Sequence, residues 1–288
     1  MAKVSFSQYS MWSSCPQQYK LNYIDKLGES SGNIHTIFGT GMHETIQHYL
    51  SVMYGVSKKQ ADEINKDKLL LETMRKAYKS EADKMSEGTP CTQIQLEEFY
   101  GDGRRILAWL DKHMHKFYSK SGFELVGIEI PLNATIKEGV HFIGFIDIVL
   151  RDMAANEIII IDLKTSTMGW NQYQKADKMK NSQILLYKKY YSELFNIPLT
   201  KIKVEYQIMR RKLPEDSAFP IPYISKHVPP NGSPSVNKVY DEFMEFINTV
   251  FDDGGAFKDI EFPKVPGAAK KNCKFCEFGN RGLCDKKS

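Results

Sequence analysis

The stretch Ile158-Ile-Ile-Ile-Asp-Leu-Lys-Thr-Ser166, "IIIIDLKTS", decides how the chain is read. Four successive isoleucines form a short apolar, β-branched run, which predicts a strand buried on both faces. Side chains alternate along a strand, so Asp162 and Lys164 share one face while Leu163 points to the other. Burial penalises both charges unless they are paired or used. A salt-bridged strand end near solvent is the plain explanation, and a bare D-x-K matches by chance. The preceding run, "GFIDIVL" at 144–150, also carries one acid, Asp147, inside apolar residues. If "RDMAAN" at 151–156 is a turn, the two strands form a hairpin that brings Asp147 and Asp162 together. Two close carboxylates repel each other and attract a divalent cation, to which the Leu163 carbonyl adds an oxygen. Lys164 beside that cation would orient a water or stabilise charge developing on a phosphate.

The rest of the chain frames this hairpin. Residues 123–134 predict a strand before it, and "KIKVEYQIMRR" at 201–211 one after it. Helical spacing is expected at about 40–54, 60–86, 93–120, 171–196 and 236–253. Ile184, Tyr187, Tyr191 and Leu194 mark the apolar face of the fourth. At the N-terminus, Ser5 and Gln8 fit a capping box, and Pro16 opens a second helical piece with Tyr19 and Tyr23. The segment "GESSGNIHTIFGTG" at 28–41 reads as a Gly-rich loop, and the Pro-rich segment 212–235 as a hairpin with loops. The order is helices, three strands, helix, strand, helix, tail. It gives the α/β class: a mixed sheet flanked by helices, with a helical N-terminal part over 1–121, a core over 122–212 and a C-terminal segment over 213–288, all in a single domain 1–288.

The charge balance of 39 basic against 35 acidic residues permits a nucleic-acid partner without requiring one. No run of about eighteen apolar residues and no secretory leader are visible, so the reading is a cytoplasmic protein with no membrane partner, from a bacterial, archaeal or phage-infected cell. Of five cysteines, three lie within the last sixteen residues. The spacing Cys273-x2-Cys276-x7-Cys284 suits metal ligation with one ligand missing, and Cys15 is the natural fourth. Four thiolates serve zinc or an iron–sulfur cluster alike. Cys91 has no place in that set and reads as an ordinary buried or loop thiol. The tail is basic, through Lys264, Lys270, Lys271, Lys274, Arg281, Lys286 and Lys287. With Phe275 and Phe278 interleaved it reads as a DNA path or, equally, as a solvated tail.

Further residues complete a pattern: Glu129 in "GIEIPL", His43 at the end of "GTGMH", and Gln183 and Tyr187 in "QILLY", at i and i+4 of one helix face. Each has a bland reading, as an edge-strand charge, a structural histidine or a helix core edge. Together with "GFID", "IIDLKTS" and "SQYSMWSSCPQQYKLNYI", the set resembles the PD-(D/E)XK nuclease superfamily, in its RecB-like exonuclease branch, which includes the nucleases of CRISPR adaptation. The resemblance implies a restriction-endonuclease-like fold and a Mg²⁺- or Mn²⁺-dependent deoxyribonuclease, an exonuclease on single strands or duplex ends. It implies that His43, Asp147 and Asp162 hold the metal, with the Leu163 carbonyl and Glu129 as further ligands or neighbours. Lys164 would assist catalysis, and Gln183 and Tyr187 would support the site or guide DNA. It also implies a [4Fe–4S] cluster on Cys15, Cys273, Cys276 and Cys284, although the final gap of seven residues departs from the family's usual five. Processing of DNA in phage, recombination, repair or CRISPR adaptation follows as an expectation, with a separate helicase, recombination or adaptation partner. A non-catalytic DNA-binding or assembly protein of the same fold, and a zinc-stapled interaction module, stand as alternatives.

Overall fold

A computed structural model of the chain describes residues 1–29, 32–85, 87–215, 219–268 and 271–284. In chain order the elements are β1 (Ala2–Val4), α1 (Phe6–Ser14), α2 (Pro16–Tyr19), α3 (Ile34–Gly55), α4 (Lys58–Asp62), α5 (Lys66–Ala82), α6 (Gln93–His113), β2 (Phe123–Lys137), β3 (Val140–Asp152), β4 (Glu157–Ser166), α7 (Gln172–Ala176), α8 (Lys178–Phe195), β5 (Ile202–Arg210), β6 (Ile224–His227), α9 (Ser233–Val250), α10 (Lys271–Lys274) and α11 (Glu277–Asn280). They fall into two compact units. One comprises residues 30–130 and 145–233; the other comprises 1–29, 131–144 and 234–288. Among the described residues, no helix is long and apolar enough to cross a membrane.

The larger unit holds a mixed sheet with helices on it. β3 and β4 pair antiparallel, from Ile148↔Ile161 to Asp152↔Glu157. The turn between them is closed by Asp152 Oδ1, which accepts the N–H groups of Ala154 and Ala155 at 3.0 Å. β4 and β5 run parallel, Ile158 opposite Ile202 and Lys164 opposite Ile208. β6 then pairs antiparallel with β5. β4 therefore lies between two neighbours, and helices α3 and α8 cover its two faces, which is why its sequence is continuously apolar rather than alternating. Ile161 and Leu163 belong to a core with Phe38, Met42, Ile46, Leu70, Ile106 and Leu107 from α3, α5 and α6. By alternation Ile160, Asp162 and Lys164 turn to the opposite face, where α8 packs against β4 and β5.

Several expected boundaries move. The Gly-rich stretch is helix rather than loop from Ile34 onward. Asn33 caps it, its Oδ1 accepting from the N–H groups of His35 (2.9 Å) and Thr36 (3.1 Å). Gly41 inside that helix is a packing device, because a Cβ there would stand 2.5 Å from Met74 Cγ on α5. The helix expected over 171–196 breaks at Asp177, whose side chain accepts from the Lys180 N–H at 3.1 Å and so starts α8 afresh. Leu194, expected on the apolar face, is exposed. The Pro-rich segment supplies one strand, β6, completing a hairpin with β5 rather than forming one of its own; its residues 216–218 lie outside the described residues.

The smaller unit is held by rings. β1 pairs parallel with the start of β3, Val4 opposite Phe142. Tyr9 of α1 meets Phe243 and Phe246 of α9 at 5.4 and 5.7 Å between centroids. Trp12 and Tyr19 pack on Phe246 at 5.6 and 5.5 Å. Such edge and offset pairs add to the apolar area they bury. The Ser5 cap is present, but Gln8 Nε2 donates to the Lys3 carbonyl, so the reciprocal half of the expected capping box is missing. Two short helices, α10 and α11, occupy a tail with no periodicity long enough to announce them.

Candidate active site

Residues from five elements meet at the ends of β3 and β4, all within the larger unit. The Leu163 N–H donates to Asp147 Oδ2 at 2.6 Å, which fixes Asp147 across the hairpin. Asp162 is 2% exposed. Its Oδ2 lies 2.7 Å from Lys164 Nζ but accepts no aligned hydrogen bond. Lys164 Nζ donates instead to Gln183 Oε1 (2.8 Å), and Gln183 Nε2 donates to the Tyr187 hydroxyl oxygen (3.1 Å). The i, i+4 pair on α8 thus completes a line Asp162–Lys164–Gln183–Tyr187. From the side of α3, His43 Nδ1 stands 3.6 Å from Asp147 Oδ2.

Two residues were not singled out in the sequence. Gln47, one turn after His43, is buried; its Nε2 donates to Glu129 Oε1 (2.6 Å) and to the Asp147 carbonyl (3.2 Å). The i, i+4 spacing from His43 was the available signal. Tyr206 on β5 is fully buried, with its ring 5.9 Å from Lys164 Nζ and its hydroxyl donating to the Lys180 carbonyl at 2.6 Å. Glu129 itself is exposed and holds φ +49°, a conformation unusual for a residue other than glycine. The alternation of β2 breaks just before it, at Gly127–Ile128. That irregularity sets Glu129 against Gln47 of α3.

Burial dominates the electrostatics. It pushes the carboxyls of Asp147 and Asp162 up to about 6, against the opposing pull of Lys164. It pushes the His43 imidazole down to about 4, which leaves that ring neutral at pH 7 and able to ligate. A buried acid with an oxygen lacking an aligned donor and a half-buried one, beside a neutral imidazole and an exposed carboxylate, make a donor set of the chemistry that suits Mg²⁺ or Mn²⁺. Among the described residues, no three or more His, Cys, Asp or Glu side chains stand together as a ready-made metal-ligand group.

The family follows from the whole chain. Residues 3–284 match the model of the PD-(D/E)XK nuclease superfamily. The chain belongs to this superfamily. Its mixed sheet flanked by helices is the restriction-endonuclease-like arrangement expected of a PD-(D/E)XK nuclease, and such nucleases usually use Mg²⁺ or Mn²⁺. No curated protein matches the sequence. Among solved structures, a Eubacterium rectale protein with a provisional exonuclease assignment is 10% identical, at a TM-score of 0.46, over 84% of this chain and 77% of that one. A second, SSO0001, is 12% identical at a TM-score of 0.32, over 93% and 94%. Likeness at these scores carries no argument, so membership rests on the sequence match.

The four cysteines of the tail scheme lie in the smaller unit. Cys15, the N-cap of α2, is buried and its Sγ accepts from the Val265 N–H at 3.4 Å. Asn272 Nδ2 donates to the Ser14 carbonyl (2.8 Å), and Arg281 donates to the Leu27 carbonyl (2.6 Å) and pairs with Glu29 (2.9 Å). The thiol of Cys284 is pushed up by burial; Lys264 opposes this, while Cys276, Cys15 and Cys273 add to it. Cys91 is buried in the helical core of the larger unit, away from that set. In the basic tail, Phe278 is fully buried and cannot face DNA, whereas Phe275 is exposed with Lys274 Nζ 5.3 Å from its ring. Lys270, Lys286 and Lys287 lie outside the described residues.

Proposed function

We propose that the protein is a divalent-metal-dependent deoxyribonuclease acting as an exonuclease on single strands or duplex ends. The observation that carries this reading is the line Asp162–Lys164–Gln183–Tyr187 beside Asp147 and His43, because it sets a fixed cation next to two acids that burial leaves short of compensating charge. Asp147, Asp162, His43 and the Leu163 carbonyl would hold Mg²⁺ or Mn²⁺, with Glu129 as a further ligand or neighbour. When bound, that ion supplies Lewis-acid stabilisation of phosphate charge and lowers the pKa of water. Lys164, 2.7 Å from Asp162, donates toward the phosphate or the attacking water. Gln183 holds the Lys164 ammonium in place, and Tyr187 holds Gln183. Gln47 steadies Glu129 and the Asp147 backbone, the role an outer neighbour plays at a metal site.

The same reading assigns Cys15, Cys273, Cys276 and Cys284 to a [4Fe–4S] cluster. The Cys273-x2-Cys276-x7-Cys284 spacing with Cys15 supports it, although among the described residues these side chains do not stand together as a ready-made ligand group, and zinc is the competing occupant. Visible absorption of anaerobically purified protein separates the two, since zinc thiolates are colourless there.

End-labelled single-stranded and duplex DNA, incubated with Mg²⁺, Mn²⁺ or EDTA beside Lys164→Ala, tests the nuclease reading. Degradation that needs the metal and disappears in the variant is the expected result, with a ladder from one end. Intact DNA with folded, metal-replete wild type would overturn it; cleavage only at internal sites would overturn the exonuclease assignment.

A further inference from the structure

The stretch between β4 and α8 carries a surface that the catalytic line does not use. Trp170 is half-buried, its ring 5.1 Å from that of Tyr206. Tyr206 in turn lies beneath Lys164. Contact therefore runs from the catalytic lysine through Tyr206 to Trp170. Lys180 Nζ sits 5.5 Å from the Trp170 ring. Tyr173, on α7, is 77% exposed. It does not hang on a loose loop: Asn171 and Gln174 cap α7 reciprocally, at 2.9 and 3.0 Å. Lys175 is tied in through its carbonyl, which accepts from Asn181 Nδ2 at 2.8 Å.

The charges here differ from the other basic concentration of this unit. Arg105, Arg211 and Lys212 gather on the fully buried Asp102, with Glu98 beside Arg211 and Lys212, and are largely neutralised there. Among the described residues Lys175, Lys178 and Lys180 join no ion pair; the one nearby acid in the sequence, Asp177, caps α8. Three lysines outside any ion pair, with Asp177 among them, interleaved with an exposed ring and a half-buried one are the chemistry of a single-strand path, since lysines follow phosphates and rings stack on bases of any sequence. A merely solvated face would not need its rings held in place.

We propose that Trp170, Tyr173, Lys175, Lys178 and Lys180 form a track for single-stranded DNA next to the Lys164 site. This rests on the nuclease reading and supplies its substrate: a strand already separated, not intact duplex.

The test uses the full chain in EDTA, with binding of fluorescein-labelled oligothymidylate, oligouridylate and duplex DNA followed by anisotropy across salt concentrations. Tyr173→Ala is expected to weaken oligothymidylate binding about tenfold, with Tyr173→Trp restoring it. Replacing Lys175, Lys178 and Lys180 by alanine is expected to lower the salt slope by about 2. Thermal unfolding of each variant checks that it folds; these side chains are on the surface. Unchanged affinity and slope, or a loss confined to duplex or to oligouridylate, would overturn the proposal. Hydrolysis of bis(p-nitrophenyl) phosphate by the wild type tests the metal site separately. A protein that binds oligothymidylate through these residues yet hydrolyses neither substrate keeps the track and ends the nuclease reading.

Discussion

Asp147, Asp162 and Lys164 stand on two paired strands, and each is held: Asp147 by the Leu163 N–H, Lys164 by Gln183, Asp162 by burial and the lysine. Cys273, Cys276 and Cys284 stand on two four-residue helices and the turns around them, and all three are partly exposed. The first group is positioned by regular secondary structure before any ion arrives. The second stands on short segments tied down by a few hydrogen bonds from Asn272 and Arg281. The difference teaches what each would gain from a metal. At the strand site a cation would add chemistry to side chains already fixed; at the cysteine site, where Cys15 and a segment some 260 residues later would be joined, metal binding would contribute to folding itself.

The sharpest way to break this comparison is to remove the fixed lysine. Lys164→Ala should lower cleavage by about 10²–10³-fold, the usual cost of losing one preorganised charge, with the melting temperature little changed. A large loss of stability instead would mean the site is part of the scaffold. Cys284→Ser should do the reverse, lowering the melting temperature by about 10 °C if the bound group contributes several kcal/mol, while Cys91→Ser leaves any visible absorption intact. Gln47→Leu, which removes the donor to Glu129 and the Asp147 carbonyl, should weaken Mn²⁺ affinity about 10–100-fold by calorimetry, as loss of an outer neighbour does.

The smallest effect is in pH. The carboxyls of Asp147 and Asp162 sit near 6 in the folded chain against 3.8 for the free group. Protonation therefore favours the fold: their contribution is fully present below pH 3.8 and is lost as pH rises through 6. His43, held near 4 against 6.5, works oppositely, its contribution lost as pH falls through 4. Asp147→Asn removes one acid while keeping an acceptor for the Leu163 N–H. In EDTA it should melt higher than wild type at pH 7.5, with the gap closing toward pH 4. A gap independent of pH would show that the acid carries no burial penalty.

Much of this was legible because β4 is a buried central strand. A four-isoleucine run has no alternative home, and the short turn at 153–156 forces Asp147 and Asp162 to face each other across the hairpin. Helical spacing put Gln183 and Tyr187 on one face, but only the resemblance to a nuclease family singled the pair out for the site. The start of α3 was not legible, since Gly39 and Gly41 look like a loop until α5 is packed against Gly41 and the need for a missing Cβ there appears. The break at Asp177 hid inside a continuous apolar period, because one side chain capping one N–H ends a helix without disturbing that period. Gln47 had only its i, i+4 spacing from His43 as a signal; its partners, the left-handed Glu129 and the Asp147 carbonyl, appear only in the fold. The solvent-facing Leu194 shows the limit of periodicity at a helix end.

The central claim is that the strand site, not merely the chain, takes a divalent cation. Calorimetric titration of Mn²⁺ into wild type and into Asp162→Ala, both with intact thermal unfolding, tests this most directly. The account predicts Mn²⁺ uptake by the wild type that disappears in the variant. Equal uptake by both proteins would place the metal elsewhere and contradict it.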